Sequence, residues 1–198
     1  VGYCNTLDRA VGFVLQLPRE APPSPVLLSP LSSRQLCDTR VHIRAGAREA
    51  GEPEMTPDAR AKKSAATMWA GDAATQFLGM EMVDVGPGHA TMTMRVRPEH
   101  LNGHQMCHGG YIFLLADSAF AFACNSYNQI VVAQENTITF LSPGKGGEVL
   151  TAVAQEQHLA GRSGIYDVAV TGEDGRKVAL FRGLSRTLKG QHFEETDA

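Results

Sequence analysis

Gly109-Gly110-Tyr111-Ile112-Phe113-Leu114-Leu115-Ala116-Asp117-Ser118-Ala119-Phe120-Ala121-Phe122-Ala123-Cys124 is the stretch on which the fold turns. From Tyr111 to Cys124 it is apolar but for Asp117 and Ser118, and it ends at Asn125. It is too long for an ordinary strand, and it is rich in Leu, Ala and Phe rather than β-branched residues. A helix of about 17 residues is expected, apolar nearly all round and therefore buried.

The text on either side is strand-like. Ala90, Met92, Met94 and Val96 alternate with polar residues, the pattern of a half-buried strand, and Gly86-Pro87-Gly88 joins it to a predecessor at Met80 to Val85. Four more strands are expected at about 130–141, 148–158, 164–171 and 176–188. The turn signals Ser142-Pro143-Gly144, Ala160-Gly161-Arg162 and Asp174-Gly175 are spaced for hairpins. Thr56-Pro57-Asp58 opens a short helix over 58–70, and a second runs from Ala73 to Gly79. One buried helix with five to six mostly antiparallel strands defines an α+β domain whose sheet wraps the helix. A single curved sheet cannot cover such a helix on every side, so a partner subunit is expected.

Residues 1–54 read differently. They hold six of the ten prolines, six arginines and no lysine, while all seven methionines lie at or after Met55. Two readings compete: a disordered or targeting-like arm, or upstream sequence read through in frame, with translation naturally beginning at Met55. Six acidic residues balance the six arginines, which weakens the targeting reading. Either way the folded domain is expected at 55–198.

Composition excludes several classes. Charged residues make up 20% of the chain and the net charge is −3, which gives no basic field for nucleic acid. No apolar run is long enough for a membrane span. The cysteines at 4, 37, 107 and 124 form no CxxC pair, so reduced, cytoplasmic thiols are expected.

Asp117 is the first candidate for chemistry. Its helical neighbours Phe113, Leu114, Phe120 and Ala121 cannot neutralise it, so burial raises its pKa unless a distant partner intervenes. It is either a structural carboxylate, paired with a facing arginine or turned to water at a subunit seam, or one tuned as nucleophile or general base. His108-Gly109-Gly110 enters the same helix, where free backbone N–H groups and the helix dipole suit an oxyanion. Asn102, seven residues before Gly109, adds an amide able to orient a carbonyl or water, although an asparagine in a loop often serves only the turn. His104, Cys107 and His108 have no second cluster at ligand spacing, so no metal is expected. Cys107 and Cys124 read as packing residues. Gly144-Lys145-Gly146-Gly147 lacks the ending of a phosphate loop.

The run Asn102-Gly-His-Gln-Met-Cys-His108-Gly109-Gly110-Tyr-Ile-Phe-Leu-Leu-Ala-Asp117-Ser118 resembles the hotdog-fold acyl-CoA thioesterases, and within them the PaaI type of phenylacetate degradation. The likeness runs from about Ala61 to Lys189 and includes Asn125-Ser126 and Gly161-Arg162. The resemblance implies hydrolysis of acyl-CoA thioesters of the phenylacetyl or hydroxyphenylacetyl kind. Asn102 and Gly109 would hold and polarise the thioester carbonyl, and Asp117 would be the catalytic carboxylate. His108, Gly110, Ser118 and Arg162 would border the substrate, with Ser118 helping to place water. It further implies a homodimer or homotetramer, and the hydrolysis needs no cofactor. Lys145, Arg162, Arg182 and Arg186 are the candidate cations for the CoA phosphates.

Two alternatives remain at this stage. A hotdog hydratase or dehydratase would need a histidine paired with the carboxylate, a part His108 could be asked to play. A non-catalytic acyl-CoA sensor would need a DNA-binding helix pair, and the proline-rich residues 1–54 show no such pattern. Because Gly109 and Asp117 stand about 12 Å apart along one helix, a site using both is expected to be shared between two subunits.

Overall fold

The computed structural model of the protein describes residues 55–195, so the expectations for residues 1–54 fall outside the described part. Two helices come first, α1 (Pro57–Gly71) and α2 (Ala73–Phe77). Thr56 caps α1 by accepting the Ala59 N–H at 3.2 Å, and proline occupies the first turn, where its missing N–H costs nothing. Asp72 caps α2 in the same way through Thr75.

Six strands and the long helix follow: β1 (Met80–Gly86), β2 (His89–Arg95), α3 (Gly109–Cys124), β3 (Val131–Phe140), β4 (Val149–Ala160), β5 (Ser163–Thr171) and β6 (Lys177–Thr187). They form one sheet in the order β1-β2-β4-β5-β6-β3, every neighbouring pair antiparallel. The sheet wraps α3, as expected of a hotdog domain. Its inner face supplies Ala90, Met92 and Met94 from β2, Leu150, Ala152 and Ala154 from β4, and Tyr166, Val168 and Val170 from β5. Against them α3 buries Ile112, Leu115, Ala116, Ala119, Phe120, Phe122 and Ala123. Gly183 on β6 makes the close approach possible: a Cβ there would stand 2.8 Å from the Phe120 ring.

Two of the three expected turns close hairpins, with Gly161 (φ +59°) between β4 and β5 and Gly175 (φ +77°) between β5 and β6. The third, Ser142-Pro143-Gly144, does not. β3 pairs with β6 and β4 pairs with β2 and β5, so this segment crosses the ends of β5 and β6 instead of folding back. Leu141 N–H and the Ser142 hydroxyl bond the carbonyls of Val178 and Lys177, and Arg176 bonds the Pro143 carbonyl at 2.8 Å. The crossover then supports the loop before α3, because Cys107 N–H donates to the Gly144 carbonyl at 2.9 Å. Among the described residues no helix is long and apolar enough to cross a membrane.

Candidate active site

The sheet leaves one stripe of α3 uncovered. Gly110, Phe113, Leu114, Asp117 and Ala121 are only partly buried or exposed, at the 3- and 4-residue spacing of a single helix face. Asp117 is the one charged group on that stripe. Asn136 Nδ2, on β3, donates to its Oδ1 at 2.7 Å. Burial pushes the Asp117 carboxyl above its ordinary range, and the hydrogen bond from Asn136 pulls it part of the way back. No arginine faces it among the described residues, so the structural ion pair weighed from the sequence is absent there.

At the other end of the stripe, His108 caps α3. Its Nδ1 accepts the Gly110 N–H at 3.0 Å, while Tyr111 and Ile112 N–H reach the His108 carbonyl. The Gly109 N–H has no acceptor among the described residues, and it stands on the positive end of the helix dipole. The capping arrangement thus reserves one donor, Gly109, rather than two. A Cβ at Gly109 would lie 3.0 Å from the Phe140 ring, so any other residue there requires that ring to shift. Phe140 itself is half exposed beside that N–H.

Asn102 shapes the approach loop. Its Oδ1 accepts the N–H groups of His104 (2.9 Å) and Met106 (3.4 Å), the turn chemistry considered from the sequence. This fixes the carboxamide and leaves its NH2 with no bonded partner among the described residues.

Two expected site residues are not brought to the stripe. Ser118 is buried, its hydroxyl 3.2 Å from that of Thr75 on α2, because adjacent helical residues point about 100° apart. Arg162 sits exposed on the β4–β5 turn and donates to the Thr187 carbonyl at 3.0 Å. Arg186 is its neighbour there, and neither forms an ion pair among the described residues. Lys145 and Arg182, by contrast, are neutralised by Asp174 and Asp167. Burial raises the Cys107 and Cys124 thiols to about 11 and about 12, which keeps both uncharged at neutral pH. Among the described residues no three metal-ligating side chains converge.

Asn136 and Phe140 were missed from sequence. Their only signal was an asparagine and a phenylalanine in phase with Ile138 on a strand, and phase on an edge strand does not say which face is inward.

Residues 104–179 match the family model described as Thioesterase superfamily. The chain is 44% identical over 131 residues to the acyl-coenzyme A thioesterase PaaI of Escherichia coli strain K12, covering 66% of this chain and 94% of that protein. The solved structure of the E. coli PaaI protein, from the phenylacetic acid degradation operon, superposes with a TM-score of 0.68 at 43% identity, over 69% of this chain and 99% of that one. A Streptococcus mutans protein solved bound to acetyl CoA matches at 28% identity and a TM-score of 0.55, over 57% of this chain and 90% of its own. Fold and comparisons agree: the chain is a hotdog-fold thioesterase. It belongs to the PaaI-type acyl-CoA thioesterases.

Proposed function

We propose that the chain hydrolyses arylacetyl-CoA thioesters, of the phenylacetyl or hydroxyphenylacetyl kind, at sites shared between two subunits, and that residues 55–198 are the functional unit. The observation that carries this reading is the stripe on α3, which offers an unbonded Gly109 N–H at one end and a half-buried Asp117 carboxylate eight residues on. At 1.5 Å per residue they stand about 12 Å apart in one chain, too far for one carbonyl to meet both.

A second subunit resolves the distance. β3 is the outer strand of the sheet beyond β6, with its far edge unpaired among the described residues and with Val132, Phe140 and Leu141 exposed. An antiparallel twin placed along that edge by a two-fold axis extends the sheet and sets the two α3 stripes against each other. Each Gly109 then approaches the other chain's Asp117. A homodimer of this kind, paired again into a homotetramer, is the assembly we favour.

In such a site the thioester carbonyl accepts the Gly109 N–H, with the Asn102 amide nearby, so that negative charge developing on oxygen meets a fixed donor. Asp117 attacks the carbonyl or takes a proton from water, and the CoA thiolate departs. No metal or organic cofactor enters the scheme. The exposed ring of Phe140 beside Gly109 suits an aromatic acyl group. Arg162 and Arg186, without carboxylate partners among the described residues, suit the CoA phosphates. The hydratase alternative loses support, since the His108 Nδ1 is engaged by the Gly110 N–H. A cytoplasmic setting fits a CoA substrate.

Substrate class is tested by thiol release from a panel of acyl-CoAs, with kcat/KM for phenylacetyl-CoA expected about tenfold above acetyl-CoA or a medium straight chain. Equal turnover across the panel rejects the aryl preference. The shared site is tested by mixing two inactive variants, Asp117→Ala and Gly109→Pro, the latter deleting the N–H while the half-exposed Phe140 ring moves aside. After co-refolding about half the dimers are mixed and each holds one intact site of two, so about a quarter of wild-type activity should return. Verified mixed dimers without recovery place the whole site in one chain.

A further inference from the structure

The pairing of β3 with β6 contains one irregularity, and it lies beside the candidate carboxylate. Ala133 stands opposite Ser185, yet Glu135 stands opposite Leu184 and Asn136 opposite Gly183, so Gln134 is an extra residue. Directly opposed residues share a face of the sheet. Ser185 and Gly183 are buried on the helix side, whereas Arg182 is exposed on the other. Without the extra residue, alternation from Ala133 would turn Glu135 and Thr137 inward and Asn136 outward. The bulge exchanges the phase. It is the reason Asn136 points at α3 and reaches Asp117 at 2.7 Å.

The carboxamide is only half used. Nδ2 donates to Asp117, but Oδ1 is buried with no hydrogen-bond partner among the described residues. A buried acceptor without a donor is unfavourable, and packing alone would be served better by an apolar side chain of similar size. Asn136 therefore stands where it does at a cost to stability, and the group it serves is Asp117.

We propose that Asn136 is a positioning residue for the hydrolysis; the proposal rests on the reading of Asp117 as the reacting carboxylate. Its Nδ2 pins one carboxylate oxygen and leaves the second for the reacting group. The donated hydrogen bond also favours the ionised carboxylate against the desolvation that opposes it. A carboxylate held at one oxygen and open at the other suits the general-base route. In that route Asp117 takes a proton from water as the water oxygen bonds the thioester carbon. The oxyanion, held on Gly109 N–H, then collapses. The C–S bond breaks with its electron pair on CoA sulfur, and the thiolate takes the proton from Asp117.

The test is the pH dependence of kcat/KM for the full chain with phenylacetyl-CoA, run on wild type, Asn136→Ala, Asn136→Asp, Asn136→Ser and Asp117→Asn, with Tm measured for each. Loss of the donor in Asn136→Ala should move the acid limb up by roughly one pH unit, so that activity falls about tenfold below the midpoint and less above it. Asn136→Asp should move it further, because a second carboxylate opposes ionisation of the first. Asn136→Ser, which keeps a hydroxyl donor, should return the limb toward wild type. Should Asn136→Ala fail to fold, the midpoint of Asn136→Asp decides the question. Folded variants whose acid limb stays at the wild-type position, or whose loss is equal at every pH, overturn the positioning role. If Asp117→Asn itself keeps wild-type turnover, the reading of Asp117 falls first; if it is inactive while the Asn136 variants titrate like wild type, the positioning role alone falls.

Discussion

β5 and β3 belong to one sheet and are built to opposite standards. β5 alternates without interruption: Gly164, Tyr166, Val168 and Val170 face the helix buried, and the residues between them are half covered. It has a strand on either side and carries no bulge facing β6 until its last residues. Among the described residues β3 has a neighbour on one side only, and it carries a bulge at Gln134 and leaves Val132 and Phe140 exposed. Yet β3, not β5, reaches Asp117 through Asn136 and Gly109 through Phe140. Packing is most complete away from the candidate chemistry, which collects where one chain leaves the packing unfinished.

The largest effect expected from this contrast is on activity. Asp117→Asn keeps the size of the side chain and removes the charge, and it should lower kcat by roughly 10²–10⁴. Activity within about threefold of wild type would make the carboxylate structural. The same variant should gain stability relative to wild type as pH rises through a defined window, and keep that gain above it. Burial sets the folded pKa of Asp117 above its unfolded value, so the folded state holds the proton more tightly. The folded state is therefore favoured at low pH, and that advantage is lost as pH rises from the unfolded pKa to the folded one. Asparagine is neutral throughout and escapes the loss. Thermal melts above that window should show Asp117→Asn melting higher than wild type, and a lower Tm would mean that the assembled site stabilises the charge.

Stability separates the two strands in the other direction. Val170→Ala on β5 opens a void in a fully buried layer and should cost about 2 kcal/mol, or roughly 5 °C in Tm, with kcat little changed. Thr139→Ala on β3, exposed on the outer face, should stay within about 0.5 kcal/mol. A large loss from Thr139→Ala would show that the outer face of β3 is packed against something in the assembled protein.

Much of this was legible in the residues. The strand bounds follow from alternation and from glycine and proline punctuation, and they agree with the observed ones within about two residues because local sterics dictate both. The length and composition of 109–124 made the helix, and its apolar circumference required that it be wrapped. Helix geometry converts the spacing of Gly109 and Asp117 directly into position, while Asn102, in the loop before α3, joined the candidate site through the family resemblance. Where inference failed, the missing information was relational. Ser142-Pro143-Gly144 has the composition of a hairpin turn, but turn residues do not reveal that the strand before them was carried to the far edge by the α3 crossover. Ser118 adjoins Asp117 in the chain, yet one helical step turned it toward Thr75.

By itself the sequence determined the inventory: one long helix, five to six strands, a glycine-rich helix start with free N–H groups, and a carboxylate eight residues further on. These are local properties, governed by steric periodicity and by which groups water will release. Only the tertiary structure decided that β3 lies at the edge, that a bulge at Gln134 turns Asn136 inward onto Asp117, and that the stripe holding Asp117 stays open. Those outcomes depend on which distant segments compete for the same surface of α3. Alternation along a strand is degenerate between its two faces, and only packing against the rest of the chain lifts that degeneracy.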